Sequence, residues 1–196
     1  MIKAGIIGST GYAGGELARL LLQRDDIEIK WYGSRSYIDQ KYASIYQNMF
    51  RIVDDACMDD NMKELAEQVD VVFTATPQGL CASLMDEDVL SKVKVIDLSA
   101  DFRIKDVSVY EKWYKLTHAS PQFIGEAVYG LPEINREKVK KARLIANPGC
   151  FPTCSFLSTY PLVKEGLLTP IPLSLMPSQA HPAQDRGSKV DSLYCE

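Results

Sequence analysis

From Met1 to about residue 146, short apolar runs alternate with stretches whose apolar residues recur at helical spacing. Residues 2–7 form a near-continuous apolar run, and Ile27-Glu28-Ile29-Lys30-Trp31-Tyr32 forms an alternating one. Asp70-Val71-Val72-Phe73-Thr74-Ala75, Val93-Lys94-Val95-Ile96-Asp97-Leu98 and Ala142-Arg143-Leu144-Ile145-Ala146 repeat the theme. Leu17, Leu20 and Leu21 after the first run predict a helix, as does Lys63-Glu64-Leu65-Ala66-Glu67 before the third. Strands that alternate with helices predict a parallel sheet, because each parallel crossover needs a long connection and its helix covers a sheet face. The natural member of that α/β class is the doubly wound, Rossmann-type nucleotide-binding fold, expected over residues 1–146.

The chain has 196 residues, 46% of them hydrophobic, enough for one good core and the start of a second. A net charge of −4 and a pI near 5.3 argue against nucleic acid or an acidic membrane surface as a main partner. No apolar run is long enough to span a bilayer, and Met1 leads directly into the first strand without a charged leader or cleavage site. A cytoplasmic location is the expectation. The five cysteines, Cys57, Cys81, Cys150, Cys154 and Cys195, show no metal-like pairing, and an odd count suits reduced thiols. Cys81, in an apolar helical stretch, reads as packing.

Candidate chemistry begins at Gly8-Ser9-Thr10-Gly11-Tyr12-Ala13-Gly14, between the first strand and the first helix. There Gly8 permits a tight turn, Gly11 a close approach to pyrophosphate, and Gly14 close packing of the helix, whose N-terminal amides supply an anion site. The spacing is G-x-x-G-x-x-G, not the commoner G-x-G-x-x-G. At the end of the second strand an NAD site places an acid for the ribose hydroxyl. This chain has Gly33-Ser34-Arg35-Ser36 instead, without a carboxylate in the run. An arginine between hydroxyls suits a 2′-phosphate, so NADP is the expected cofactor.

Thr76-Pro77-Gln78-Gly79 follows the third strand; Pro77 either lines the nicotinamide pocket or belongs to an ordinary turn. Ser99-Ala100-Asp101-Phe102-Arg103 follows the fourth, where Arg103 either grips a substrate carboxylate or phosphate or pairs with Asp101 or another acid. After the fifth run comes Asn147-Pro148-Gly149-Cys150, and Phe151 onward resumes an apolar pattern that predicts a helix. A cysteine at a helix start meets the positive end of the dipole, which favours thiolate, the nucleophilic form. Cys154, one turn later, is expected to pack. Acyl-enzyme chemistry also needs an acid or base, usually histidine. Only His118 and His181 are present; His118 reads as a surface or packing residue.

Together these residues resemble the N-acetyl-gamma-glutamyl-phosphate reductases of arginine biosynthesis, from Met1 to about Leu168. The likeness rests on the glycine loop, Ser34-Arg35-Ser36-Tyr37, Ile96-Asp97-Leu98-Ser99-Ala100-Asp101-Phe102-Arg103, Tyr129-Gly130-Leu131-Pro132-Glu133 and Asn147-Pro148-Gly149-Cys150-Phe151-Pro152-Thr153. The resemblance implies that Cys150 attacks N-acetyl-gamma-glutamyl phosphate, expels phosphate and holds a thioester that NADPH reduces to the semialdehyde. It implies that Ser34, Arg35 and Ser36 surround the 2′-phosphate, that Arg103 and Asn147 belong to the substrate site, and that the full-length form is a homo-oligomer. Residues 147–196 would then be the truncated beginning of an α+β catalytic and dimerisation domain.

Two departures qualify the likeness. The family continues well beyond Leu193-Tyr194-Cys195-Glu196, and its acid–base histidine lies past that segment, so the chain as written is expected to bind NADP without turnover. The stretch from Pro170 to Asp185 carries four prolines after Thr169 and reads unlike the family, whereas Arg186-Gly187-Ser188-Lys189-Val190-Asp191 reads like it again. A one-base shift in frame over about 170–185 accounts for this. Synonymous codons for Leu175-Met176-Pro177-Ser178-Gln179-Ala180-His181-Pro182-Ala183-Gln184-Asp185 read one base earlier as Val-Asp-Ala-Lys-Ser-Gly-Thr-Ser-Gly-Ala-Gly, the loop the family carries. His181 is then an accident of frame, and 170–196 should pack poorly. The alternatives are an aspartate-semialdehyde dehydrogenase-like enzyme, which shares the thioester logic, and a non-catalytic NADP-binding remnant or sensor.

Overall fold

A computed structural model describes residues 1–168. The expectations for 170–196, with His181 and Cys195, lie outside the described residues. Two compact units are present, Met1–Asn147 and a second beginning at Pro148.

In the first unit β1 (Ile2–Ile7) leads into α1 (Tyr12–Leu21), then β2 (Ile27–Gly33), α2 (Tyr42–Ile45), α3 (Met62–Ala66) and β3 (Val71–Thr74). There follow α4 (Leu80–Leu84), α5 (Glu87–Lys92), β4 (Lys94–Asp97), α6 (Val107–Tyr114), β5 (Val128–Tyr129), α7 (Pro132–Lys141) and β6 (Leu144–Ala146). All six strands are parallel, in the order β2-β1-β3-β4-β6-β5. The expected doubly wound sheet is what forms. Only β5 lacks a counterpart in the apolar pattern: its two residues pair with Ile145 and Ala146, and so short a strand has no period of its own.

Alternation along each strand builds both faces at once. Ala4 and Ile6 of β1 enter one core with Ala18 and Leu21 of α1, Tyr32 and Tyr42. Ile7 enters the other core with Leu65, Val72, Val89, Val95 and Phe102. Neither face is left to water, which explains why the strands read as apolar runs. Helix starts follow side-chain capping: Asn61, Asp86 and Asp106 accept from the first-turn amides of α3, α5 and α6.

The described part of the second unit is dominated by α8 (Cys150–Lys164). Gly149 is its extended N-cap, and Pro161 lies within it. The hydroxyls of Thr153, Ser158 and Thr159 donate to the carbonyls of Gly149, Cys154 and Ser155, four residues back. Several of its own apolar residues, Phe151, Phe156, Leu157 and Val163 among them, are exposed, and none of its residues is buried. Cys154, expected to pack, is therefore exposed. No helix among the described residues is long and apolar enough to cross a membrane.

Candidate functional site

The sheet reverses its winding at β1, which has β2 on one side and β3 on the other. Ligands of open parallel sheets bind at the carboxyl edge of such a switch point. The glycine loop leaves β1 there. Gly8 has φ of 81°, and a Cβ on it would lie 2.2 Å from the carbonyl oxygen of Ala75. A Cβ on Gly14 would lie 2.1 Å from the carbonyl of Gly8. These two positions let α1 begin directly over the turn.

Side chains fasten the loop from behind. Ser9 Oγ donates to Gly33 O at 3.1 Å, and Thr10 Oγ1 shares a 2.8 Å hydrogen bond with Ser34 Oγ. Tyr42 Oη donates to Ser9 O at 2.9 Å and Tyr46 Oη to Gly11 O at 2.7 Å. Sequence reasoning missed both tyrosines; their partners lie more than thirty residues away, and no local signal links them. Ser9, Thr10 and Ser34 are buried, so their hydroxyls serve the fold, and the loop's offer to a ligand is its backbone. Gly11 caps α1 without a side chain, while Tyr12 and Ala13 are exposed at the first turn. Thr76 Oγ1, beside Gly8, is buried without a hydrogen-bond partner among the described residues. A helix start lacking a side-chain cap and an orphaned hydroxyl fit a pyrophosphate-bearing dinucleotide.

At the end of β2, Arg35 is largely exposed, and its Nε lies 2.5 Å from Asp60 Oδ2. Ser36 is exposed beside it. The expected absence of a carboxylate at this position needs correction. None stands in the run Gly33–Ser36, but the fold brings Asp60 from 25 residues on.

The loops after β3 and β4 are tied together. Gln78 Oε1 accepts from Ala100 N at 2.6 Å, while Pro77 is exposed at the edge. Asp101 does not pair with Arg103. Its carboxylate accepts from Gly79 N at 2.7 Å, Ala82 N at 3.0 Å and Tyr110 Oη at 2.8 Å, capping α4. Burial, then the bond to Asp101, pushes the Tyr110 phenol up. Asp97, buried beneath, accepts from Thr74 Oγ1, Ser99 N and Ser99 Oγ, and burial raises its pKa. His118 is a packing residue: Nε2 lies 2.7 Å from Asp101 O, and Nδ1 accepts from Ser120 N at 3.2 Å. Those bonds define the Nε2–H tautomer.

Arg103 instead donates from Nε to Asn147 O and from Nη2 to Leu98 O, both at 2.6 Å. These bonds use two of its five N–H groups. It has no carboxylate partner among the described residues. Asn147 itself donates its amide to Asp97 O at 2.8 Å, prolonging β6. Arg103 is thus a cation held by backbone carbonyls at the carboxyl edge of the sheet, with donors to spare.

Cys150 is the first residue of α8, as the sequence predicts, and is exposed. Cys57 and Cys81 are buried; burial pushes the Cys57 thiol up to about 11 and the Cys81 thiol well above its ordinary value. Brief alkylation of the folded chain at pH 7.5 should therefore modify Cys150 and spare Cys57 and Cys81. Peptide mass spectrometry reads the order, and labelling of Cys81 at the rate of Cys150 would contradict it.

A glycine turn at the switch point, opening an uncapped helix over a six-stranded parallel sheet, is the architecture of Rossmann-type nucleotide-binding domains. Residues 3–142 match the family described as semialdehyde dehydrogenase, NAD binding domain, and the chain belongs to that family. It is 65% identical over 196 residues to an N-acetyl-gamma-glutamyl-phosphate reductase from Lachnoclostridium phytofermentans, covering 100% of this chain and 57% of the relative. A reductase of the same name from Lachnospira eligens is 62% identical over 197 residues, with the same two coverages. The chain thus spans little more than half the length of these relatives. Aspartate semialdehyde dehydrogenase II from Vibrio cholerae shares the fold at a TM-score of 0.57 and 20% identity, over 84% of this chain and 43% of that one. The Candida albicans enzyme solved with NADP gives 0.57 at 17% identity, over 84% and 47%.

Proposed function

We propose that this chain is the cofactor-binding part, with the beginning of the catalytic part, of an NADPH-dependent reductase of N-acetyl-gamma-glutamyl phosphate. The division falls between residues 1–146 and 147–196. The observation that carries the reading is the order of parts: a glycine loop at the switch point, then a cysteine that opens the helix after the last strand. The 65% identity to a reductase of that name supports the substrate. The fold shared with aspartate semialdehyde dehydrogenases does not discriminate, and turnover of the full-length protein on the two families' acyl phosphates would.

In this reading the backbone of Gly8 to Gly14 and the first turn of α1 hold the pyrophosphate. Ser34, Arg35 and Ser36 surround the 2′-phosphate, buried Ser34 by shaping the turn and Arg35 by supplying charge. Pro77 borders the nicotinamide. Cys150 thiolate attacks the acyl carbon, a C–S bond forms, and the C–O bond to phosphate breaks with phosphate leaving as the anion. NADPH, when bound, supplies the hydride that converts the thioester to aldehyde and returns the thiolate. Arg103 and Asn147 orient the substrate, Arg103 through the donors its carbonyl bonds leave over. The reading includes a cytoplasmic, homo-oligomeric full-length enzyme.

Binding tests the cofactor assignment. Adenosine 2′,5′-bisphosphate should bind this chain more tightly than 5′-AMP in calorimetry. Arg35→Ala should weaken the bisphosphate by about 10- to 100-fold, the worth of a charge-assisted phosphate contact, and leave 5′-AMP within about twofold. Equal binding of the two nucleotides by the unmodified chain would refute an NADP site.

A further inference from the structure

The carboxylate that the fold brings to Arg35 has no place in the reading above. NAD-binding sheets use an acid at the end of the second strand to accept from the ribose hydroxyl, and NADP-binding ones use a cation there. Here both charges occupy that position, the cation from the strand's own end and the acid from a different segment. Arg35 Nε and Asp60 Oδ2 are 2.5 Å apart, with the Asp60 side chain 21% exposed and that of Arg35 61%.

Asp60 is not a casual surface partner. Its segment runs beside the end of β2 and is pinned there by backbone and side-chain bonds. Met58 N donates to Tyr32 O at 2.9 Å and Ser34 N to Met58 O at 2.7 Å, and Gly33 and Met58 form a parallel bridge. Trp31 Nε1 donates to Asp59 O at 2.9 Å, and Asp59 Oδ1 accepts from Asn61 N at 2.9 Å. Asp59 is thus turned to its own loop, and Asp60 is the acid presented to Arg35. Because Asp60 takes Nε, the two terminal nitrogens of Arg35 remain for a phosphate.

We propose that Asp60 sets the cofactor preference of this site, opposing the 2′-phosphate of NADP by its charge and accepting from the ribose hydroxyl of NAD when Arg35 swings away. The inference rests on the dinucleotide reading above. Arg35 and Asp60 act as a matched pair, each favouring a different cofactor, so the site is less selective for NADP than Ser34-Arg35-Ser36 alone would make it. Removing the negative charge while keeping an acceptor for Arg35 Nε should sharpen selectivity. A unit charge one guanidinium away from a phosphate dianion, in a half-solvated site, changes affinity by about tenfold.

The test compares dissociation constants of NADPH and NADH, by ligand fluorescence, for the unmodified chain and for Asp60→Asn, Asp60→Glu and Arg35→Ala. Asp60→Asn should raise the preference for NADPH over NADH by about tenfold, while Asp60→Glu, which keeps the charge, should hold it within about twofold. Arg35→Ala should move it the opposite way with NADH affinity retained. If Asp60→Asn is poorly folded by urea titration, Asp60→Ser carries the same expectation. An unchanged or lowered preference in the neutral variant overturns the proposal, as does equal loss of both cofactors, which would mark Asp60 as a support for the loop. If the unmodified chain binds neither cofactor, the dinucleotide reading fails and takes this inference with it. Selective binding that is indifferent to Asp60 overturns the inference alone.

Discussion

Gly8→Ala lowers the unfolding free energy by about 3 kcal/mol and abolishes measurable binding of adenosine 2′,5′-bisphosphate. Two costs act together. The residue sits at φ of 81°, a region that costs a non-glycine residue about 1–2 kcal/mol. Its new Cβ would also lie 2.2 Å from Ala75 O, a backbone atom that cannot rotate away. Ala75 is held by the hydrogen bond its backbone N–H donates to Ile7 O at 2.8 Å, so relief requires β1 and β3 to part at the switch point. The distortion falls on the loop whose amides would meet a pyrophosphate, so stability and binding are lost together. Gly125→Ala is the control: nothing lies within 4 Å of its built Cβ, and the change should stay within about 0.5 kcal/mol. Urea titration with nucleotide calorimetry checks both variants. A Gly8→Ala chain that binds normally would contradict the assignment of this turn.

Asp101→Ala carries a comparable cost for a different reason. The carboxylate is fully buried and receives three donors, from Gly79, Ala82 and Tyr110. Alanine leaves those donors in the interior without an acceptor and opens a void beside the Tyr110 hydroxyl. A loss of about 3–5 kcal/mol is expected, because each buried donor left unpaired costs about 1–3 kcal/mol and three are stranded at once. Asp101→Asn keeps one acceptor oxygen and should lose roughly half as much. Urea titration of both variants reads the difference, and a loss below about 1 kcal/mol for alanine would show that water replaces the carboxylate. The helix start of α4 and the Ser99–Arg103 loop then depend on one side chain. That is why Asp101 belongs to the fold while Arg103, two residues on, has donors free for a ligand.

The two predictions also mark how far the sequence reaches. Glycine spacing between an apolar run and a helical pattern was legible because turn, cap and helix start are contiguous; chain neighbours decide their conformations. The same holds for Cys150 at the start of α8. The assignment of each apolar run to a strand followed from its period, and parallel pairing followed from the intervening helices. What the pattern could not contain were partners chosen by packing. Arg103 sits beside Asp101 in sequence yet bonds to the carbonyl of Asn147, 44 residues away. β5 exists because β6 offers it an edge. Tyr42 and Tyr46 read as ordinary aromatics until the fold sets them behind the glycine loop.

The end of β2 shows the division most clearly. By itself the sequence determined that a cation follows the strand and that no acid stands within the run Gly33–Ser36, and that run of residues is what points to NADP. Tertiary structure decided that Asp60 faces that cation, because the segment through Met58 is zipped to the strand by backbone hydrogen bonds that almost any sequence could make. Backbone hydrogen bonding is nearly blind to sequence, whereas charge pairing is acutely sensitive to position. A few ångströms set by the first therefore govern the second, and only the folded chain contains that distance.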